Sequence, residues 1–235
     1  MNYLNLEQLS ELRQFDTPTV CNALEKFKLR KKTEGYTSPL IRSIFADCKP
    51  MVGYACTAKV SARYAGNQDH EEILYQYYQS VKDCPSTPIS VIQDIDETPI
   101  GSFWGEVQTT VHKALGCMGV ITNGGVRDLD EAHALGFSYF ASCVLVSHAY
   151  IHMEQSGCPV QVGGLIVRPG DLLHADKHGV VCIPQEVSFE VADACRQMQD
   201  AEFPVLNGCK AVKDGKLEIE DLRVWRAQMA QLRNK

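Results

Sequence analysis

The segment that decides the fold is residues 105–128, which read GEVQTTVHKALGCMGVITNGGVRD. Glu106 to Leu115 is typical of a short helix, and Met118 to Thr122 is a short apolar run typical of a strand. Asn123-Gly124-Gly125 is a turn, and a second helix follows over Arg127 to Leu135. This segment therefore predicts a strand between two helices.

Two apolar runs outside this segment complete the pattern. Pro88 to Ile95 is rich in β-branched residues and predicts a buried strand, and Phe137 to Val146 predicts another. The resulting order is βαβαβ with short connections, which is typical of a parallel sheet with crossover helices. We therefore expect an α/β fold.

The rest of the chain is predicted to add a second β layer and flanking helices. We expect a single α/β domain over residues 1–235, with helical extensions at its N- and C-terminal ends. The other predicted elements are helices over 4–15, 18–27, 70–81, 185–201 and 217–232, a strand over 51–63, an irregular stretch over 31–50 and a turn-rich β layer over 160–184.

The composition is that of an ordinary soluble globular protein, with 45% hydrophobic and 22% charged residues and a formal net charge of -6. This mildly acidic balance argues against a nucleic-acid partner held by phosphate contacts. No apolar stretch approaches the roughly 20 residues needed to span a bilayer, so we expect no membrane segment.

The ten cysteines include no CxxC pair and are expected to be reduced and mostly buried in a cytoplasmic protein. The alternative, a disulfide framework in a secreted protein, fits poorly because the chain is long and its start does not resemble a signal peptide.

Two strand-to-helix junctions carry polar residues suited to chemistry. The first places Gly105-Glu106 at the start of a helix, and the second does the same for Arg127-Asp128. In a right-handed βαβαβ unit both junctions lie at the carboxyl edge of the sheet, where open α/β folds bind ligands. Glu106, Arg127 and Asp128 are therefore expected to converge. The free N–H groups of Val107 and Gln108 would point into the same crevice and suit a carboxylate.

Two interpretations of this cluster remain open from spacing alone. Two carboxylates beside a guanidinium can serve a hard cation such as Mg²⁺, with the arginine pairing with an anionic or developing oxyanion group. Alternatively, Glu106 merely complements the helix dipole and Arg127-Asp128 is a surface ion pair.

Gly105-Glu106, followed after twenty residues by Arg127-Asp128, resembles the acid-x20-Arg-Asp signature of the RraA-like superfamily. That superfamily contains 4-hydroxy-4-methyl-2-oxoglutarate and 4-carboxy-4-hydroxy-2-oxoadipate aldolases, which also decarboxylate oxaloacetate. The resemblance covers about residues 8–205 and implies a swivelling β/β/α-type sandwich, assembled as homotrimers or homohexamers with sites between subunits. Supporting segments are FDTPTV at 15–20, GVITNGGVRD at 119–128, VRPGD at 167–171 and ADKHGVV at 175–181.

The resemblance also implies roles for these residues. Asp128 would bind a divalent metal cation, Mg²⁺ or Mn²⁺, and Arg127 would hold the 2-oxo oxygen of a small 2-oxo acid. The loop formed by Gly105, Glu106, Val107 and Gln108 would cradle the substrate carboxylate, and Glu106 would hold metal-bound water. Cleavage would leave a pyruvate enolate that the metal and Arg127 stabilise. A late acidic residue of a neighbouring subunit assists in the aldolases, and Glu202 is the candidate here.

Departures from the family pattern leave the rest of the substrate open. The aldolases usually have Asp where Asn123 stands, and VSHAYIH at 146–152 replaces a segment that typically carries Arg-Gly and Pro. One alternative is an enzyme acting on another 2-oxo or 2-hydroxy acid with His148 in a new role. A second is a non-catalytic regulatory protein, since some members inhibit an RNA-degrading endonuclease. Those members lack the Asp of the Arg-Asp pair, so Asp128 favours an enzyme.

Other polar and aromatic residues receive mainly structural interpretations. His148 and His152 are four residues apart and would share a face if helical, as a zinc pair or as ordinary polar residues. Trp104 either walls the pocket or simply packs. The remaining interpretations are surface positions for His112 and His133, core positions for Cys117 and Cys143, and turn positions for Asp171 and Asp176.

Overall fold

The computed structural model describes residues 2–212 and 215–233 and has an α/β architecture with flanking helices. Short 3-10 helices at Glu25–Phe27 and Gln185–Val187 accompany the main elements. The helices are α1 Leu6–Leu12, α2 Thr17–Leu24, α3 His70–Lys82, α4 Glu106–Ala114, α5 Leu129–Ala134, α6 Val191–Ala211 and α7 Ile219–Arg233. The strands are β1 Arg42–Ser43, β2 Met51–Ser61, β3 Pro88–Asp94, β4 Gly119–Thr122, β5 Gly125–Val126, β6 Ser138–Ala141, β7 Cys143–Val144, β8 His152–Ser156, β9 Val160–Val162, β10 Leu165–Val167, β11 Leu172–Asp176 and β12 Gly179–Ile183.

The centre of the main sheet is parallel, as the βαβαβ pattern predicts. Strands β2, β3, β4 and β6 lie side by side in that order, and α4 and α5 connect β3 to β4 and β4 to β6. The register places Val91 opposite Ile121, and Ile121 opposite Phe140, all of them buried. These strands are apolar on both faces because helices and the second β layer cover the sheet.

The long strand β2 joins the parallel centre to the antiparallel layer. Its Tyr54–Val60 stretch pairs with β3 on one side. On the other side, Met51–Tyr54 pairs with β11 and Ala58–Ser61 pairs with β8, with a register shift between Lys59 and Val60. Strand β12 continues the sheet beyond β11. Three strands from distant parts of the chain therefore depend on β2.

The N-terminal helices are fixed to the antiparallel layer by buried polar contacts. Asp16 caps α2 by accepting from the Thr19 amide at 2.8 Å. The Thr17 amide donates to Asp176 Oδ2 at 2.9 Å, and the Thr17 hydroxyl lies 3.0 Å from His174 Nδ1. Burial lowers the pKa of His174, so the ring stays neutral between these groups. Asp176 is therefore structural, as its turn position predicts.

Several predicted boundaries differ from the structure. The helix expected from Arg127 begins at Leu129, because Asp128 has a left-handed backbone with φ of 54° and cannot be part of a helix. The strand expected over 137–146 is split into β6 and β7, where the Ser142 hydroxyl donates to the carbonyl oxygens of Asn123 and Gly124. The helix expected to end at 201 continues through Pro204 to Ala211.

The cysteines and the helices can be compared with what the sequence predicts. All ten cysteines are free thiols, as expected, but only four are buried, so the prediction that most are buried is wrong. Cys143 is partly exposed on β7, because that strand is at the surface beside β5. Cys117 is buried, as predicted. In residues 2–212 and 215–233, no helix is both long and apolar enough to cross a membrane.

Leu9 tests how strongly α1 depends on its buried face. Leu9 is fully buried in a cluster with β2, β12 and α6, whereas Leu6 on the same helix is 71% exposed. We expect Leu9→Ala to lower the free energy of unfolding by about 2–5 kcal/mol, because it opens a cavity. Leu6→Ala is the matched control and should change stability by less than about 0.5 kcal/mol. Urea denaturation of both variants checks this, and equal effects would contradict the packing described.

Candidate functional site

The two strand-to-helix junctions meet through one hydrogen bond. The backbone amide of Glu106, the first residue of α4, donates to Asp128 Oδ2 at 2.8 Å. The chain before each junction is also paired, since Trp104 forms a parallel bridge with Val126 and the Arg127 amide donates to the Trp104 carbonyl at 3.0 Å. Glu106, Arg127 and Asp128 therefore lie together, although twenty residues separate the first two in sequence.

Gly105 makes this approach possible because it has no side chain. A Cβ atom at this position would lie 2.5 Å from Asp128 Oδ2 and 3.1 Å from Arg127 Nε. Both distances are shorter than ordinary contacts, so any larger residue would push the carboxylate and the guanidinium away.

Arg127 has an unsatisfied donor beside the carboxylate. Its Nε atom is buried and has no hydrogen-bond partner among the described residues. The closest carboxylate oxygen, Asp128 Oδ2, is 3.9 Å away, which is too long for a hydrogen bond. About one third of the Arg127 side chain is exposed. A buried donor without a partner is costly, and an anionic oxygen is the group that would satisfy it.

The rest of the predicted loop lies on the first turn of α4. Glu106 and Val107 are exposed, and Gln108 is half-buried with its Oε1 accepting from the Tyr78 hydroxyl at 2.8 Å. The amides of Val107 and Gln108 are in the first turn, where a helix supplies no acceptor. This helix end can therefore receive an anionic group.

A buried aromatic cluster supports the junction from below. Trp104 is buried, and its ring centroid lies 4.5 Å from that of His112 and 5.5 Å from that of Phe137. Of the two interpretations of Trp104, its burial against His112 and Phe137 supports packing. The surface position predicted for His112 is wrong, because this face of α4 packs onto Trp104 and α3. Burial lowers the pKa of His112 to about 4, so the ring is neutral at pH 7.

Asp94 is a polar residue at this edge that sequence reasoning missed. It ends β3, is buried, and has an Oδ2 atom without a partner among the described residues. Burial raises the pKa of this carboxyl to about 6. A charged residue closing an apolar, β-branched run was the signal that could have identified it.

Asn123 has a structural reason for standing where the aldolases usually have Asp. Its Oδ1 accepts from the Asp94 amide at 2.8 Å, and its Nδ2 donates to the Asp94 carbonyl at 2.7 Å. An aspartate could accept the first hydrogen bond but could not donate the second. Asn123 therefore ties the end of β3 to the end of β4.

The other predicted residues have their hydrogen-bond partners outside the Glu106–Arg127–Asp128 cluster. His148 is an exposed loop residue whose Nδ1 lies 2.6 Å from the Ala149 carbonyl. His152 begins β8, is buried, and is hydrogen-bonded to Glu154 at 2.6 Å. The two histidines therefore share no helix face. Glu202 lies on α6 and pairs with Arg233 of α7 at 2.6 Å.

Three smaller predictions can be settled from the same contacts. His133 is a surface residue, as expected, and its Nε2 lies 3.0 Å from Asp47. Asp171 accepts from the Arg168 amide at 2.7 Å and is a turn residue. Within residues 2–212 and 215–233, no three His, Cys, Asp or Glu side chains form a cluster that could hold a metal.

The fold and this junction define an α/β protein with an Arg-Asp pair facing a helix N-terminus. The chain belongs to the RraA-like family, since the model described as RraA-like (Aldolase/RraA) matches residues 17–182. This confirms the resemblance found in the sequence and the fold class that it implies.

Known relatives are similar at low identity. The uncharacterized protein MJ0644 of Methanocaldococcus jannaschii is 26% identical over 215 residues, which is 90% of each chain. A Halalkalibacterium halodurans protein named "Putative 4-hydroxy-4-methyl-2-oxoglutarate aldolase" is 28% identical over 96 residues, 40% of this chain and 46% of that one. The chain spans only 15%, 46% and 45% of the length of three of its curated relatives.

A solved structure shares the fold. The crystal structure of Streptomyces coelicolor RraAS2, described as an unusual member of the RNase ES inhibitor RraA protein family, matches with a TM-score of 0.71. Its sequence is 19% identical, and the match covers 90% of this chain and 100% of that one. At this identity the likeness concerns the fold alone.

Asp94 should make stability depend on pH. The pKa of Asp94 is raised from 3.8 to about 6 in the folded protein. The wild-type free energy of unfolding is therefore highest below pH 3.8, where the carboxyl is protonated, and falls as the pH rises through 6 and the buried carboxyl ionises. The stability of Asp94→Asn relative to wild type should rise by about 2–3 kcal/mol between about pH 4 and about pH 7.5. Urea denaturation across this range measures it. Asp130→Asn, on the exposed face of α5, is the control, and a pH-independent Asp94→Asn difference would contradict the assignment.

Proposed function

We propose that this protein is a divalent-metal-dependent lyase that cleaves a carbon–carbon bond of a 2-oxo acid through a pyruvate enolate. The observation that carries the proposal is the buried, unsatisfied Nε of Arg127 beside Asp128, at the N-terminus of α4. Membership of a family whose model is described as Aldolase/RraA supports it, as does the aldolase name of one partial relative.

The residues at the junction fit a hard cation. Asp128 uses Oδ2 to accept the Glu106 amide, and its other oxygen, Oδ1, accepts no hydrogen bond from the described residues. Mg²⁺ takes oxygen ligands and often needs only one or two protein carboxylates, so Asp128 would hold it with Glu106 nearby. When bound, Mg²⁺ or Mn²⁺ would act as a Lewis acid that polarises the 2-oxo group.

The protein's own groups would then bind and orient the substrate. The amides of Val107 and Gln108, beside Gly105 and Glu106, would receive the substrate carboxylate. Arg127 would donate to the 2-oxo oxygen, which gains negative charge as the C3–C4 bond breaks. The exposed Glu106 carboxylate would orient water at the rim of the site. Retro-aldol cleavage of a 4-hydroxy-2-oxo diacid and loss of CO₂ from oxaloacetate leave the same enolate, so one site could serve both.

A second candidate function is an enzyme acting on another 2-oxo or 2-hydroxy acid. It is favoured by the exposed His148 on a loop that pairs with the segment leading to Trp104, since the Ser102 amide donates to the Ser147 carbonyl at 2.9 Å. His148 would contact the part of the substrate beyond the pyruvate half. A cytoplasmic location remains the expectation for either enzyme.

The activity test uses oxaloacetate as the first substrate. We expect metal-dependent release of pyruvate that EDTA stops and Mg²⁺ or Mn²⁺ restores. Arg127→Ala should lower kcat by about 10²–10³-fold, because a donor to the developing oxyanion is lost. Asp128→Asn should raise the Mg²⁺ concentration needed for half-maximal activity, because an amide is a poorer ligand than a carboxylate.

Asp130→Asn is the matched control for Asp128→Asn, because Asp130 is exposed on α5 two residues away. It should retain wild-type turnover. An unchanged kcat in Arg127→Ala, or an unchanged Mg²⁺ requirement in Asp128→Asn, would contradict the roles assigned to those residues. Absence of metal-dependent turnover on a panel of 2-oxo and 2-hydroxy acids would instead favour a non-catalytic regulatory protein of the same fold.

We also propose that the protein assembles as a homotrimer or homohexamer around this site. Apolar side chains near the junction are unusually exposed, with Val107 at 74%, Val146 at 96% and Tyr150 at 65%. Light scattering after size exclusion should give a mass of three or six times 26.1 kDa. Val146→Asp should shift the assembly towards monomer, with Ser10→Asp, at an exposed polar position of α1, as its control. A wild-type monomer at all concentrations would contradict this.

A further inference from the structure

Two cysteines far apart in sequence lie beside the same cavity. Cys56 is on β2 and Cys84 follows α3, and both line an open cavity of about 230 Å³. The cavity lies where the outer side of β2 has a gap between its two antiparallel partners. Loop amides fill that gap, since Gly170 donates to the Ala55 carbonyl and Gly157 donates to the Thr57 carbonyl.

The backbone holds Cys84 close to β2. The Cys84 amide donates to the Val81 carbonyl at 3.3 Å, which ends α3. Three residues later, the Thr87 carbonyl accepts from the Tyr54 amide at 2.8 Å. The segment between these contacts runs alongside β2, and Cys84 packs against the same hydrophobic cluster that contains Cys56.

The two thiols are unlike in environment. Cys56 is buried, and its Sγ lies 3.8 Å from the Ser80 carbonyl. Cys84, four residues after Ser80, is only partly buried. Interaction with Cys56 lowers the pKa of Cys84 to about 7, whereas interaction with Cys84 and burial raise the pKa of Cys56. One thiol is therefore accessible and more acidic, and its neighbour is buried and protonated.

We propose that Cys84 and Cys56 form a hydroperoxide-reactive thiol pair, in which Cys84 is oxidised first and Cys56 resolves it as a disulfide. The Cys84 thiolate attacks one peroxide oxygen and the O–O bond breaks. The departing hydroxide takes a proton and leaves as water, and Cys84 becomes a sulfenic acid. The Cys56 sulfur then attacks the Cys84 sulfur and the S–O bond breaks. The hydroxyl leaves with the Cys56 proton as a second water. Two electrons pass from the thiols to the peroxide.

The arrangement explains why this pair is favoured over others. Cys117 is near both thiols, but it is fully buried, and burial raises its pKa to about 12. Cys209 is exposed on α6 but is outside this cavity. Reactive cysteines are those that combine thiolate character with access; Cys84 has both, and Cys117 has neither.

The first experiment measures reactivity in the native, reduced protein. At about pH 7 a thiol with a pKa near 7 is about half ionised, and after allowance for its lower intrinsic nucleophilicity it should react roughly fivefold faster than an unperturbed thiol. Iodoacetamide labelling with peptide mass spectrometry should therefore modify Cys84 about fivefold faster than the thiol of an unstructured cysteine-containing reference peptide added to the same reaction. Cys56→Ala should reduce this advantage, because the neighbouring thiol that lowers the pKa of Cys84 is removed.

The second experiment identifies the product of dilute hydrogen peroxide. Wild type should give a Cys56–Cys84 disulfide, detected in a non-reducing digest and reversed by dithiothreitol. Cys56→Ala should instead give a dimedone-trapped sulfenic acid at Cys84, and Cys209→Ala should behave as wild type. Equal labelling of Cys84 and the reference peptide, or a disulfide that joins Cys117 to either partner, would overturn the proposal. Circular dichroism of Cys56→Ala checks that the variant is folded, and the two wild-type measurements decide the question without it.

Discussion

The site depends on the hydrogen bond from the Glu106 amide to Asp128 Oδ2, because it fixes the carboxylate at the point where the two strand-to-helix junctions meet. The carboxylate occupies the N-terminus of α4, where a negative charge is favoured by the unpaired amides and the helix dipole. Three local conditions make this possible. Gly105 leaves room for the carboxylate, Asp128 adopts a left-handed backbone, and Val126 pairs with Trp104 to align the junctions.

The layer beneath the junction contains polar groups that are buried without full satisfaction. Trp104 Nε1, His112 Nε2 and Asp94 Oδ2 each lack a partner among the described residues. Buried polar atoms of this kind are uncommon in protein interiors and carry a free-energy cost. Arg127 Nε is a fourth buried atom without a partner among the described residues, so local stability is not maximised in this part of the fold.

The parallel centre and the meeting of Glu106, Arg127 and Asp128 could be predicted because they follow from local patterns and one handedness rule. Apolar runs at 88–95 and 118–122 define strands, and the connections between them place both junctions at one edge. The left-handed backbone of Asp128 could not be predicted, since it results from its tertiary contact with α4. The burial of His112 could not be predicted either, because it depends on α3, which packs on α4 from a distant part of the sequence. A shared face for His148 and His152 would require a helix, but β2 pairs with the segment from His152 onward as β8, a long-range contact that spacing does not reveal.

The dependence of three strands on β2 has a consequence for how the chain folds as it is synthesised. Strand β2 ends at Ser61 and can pair early with β3, but its outer edge waits for β8 and for β11, which begins only at Leu172. Until then a long apolar strand has an open edge, which is a template for pairing with another chain. Contacts between segments so distant in sequence also form slowly. Nascent or partly folded chains of this protein should therefore be most vulnerable to aggregation before the antiparallel layer closes, and a chaperone that covers this edge would protect them.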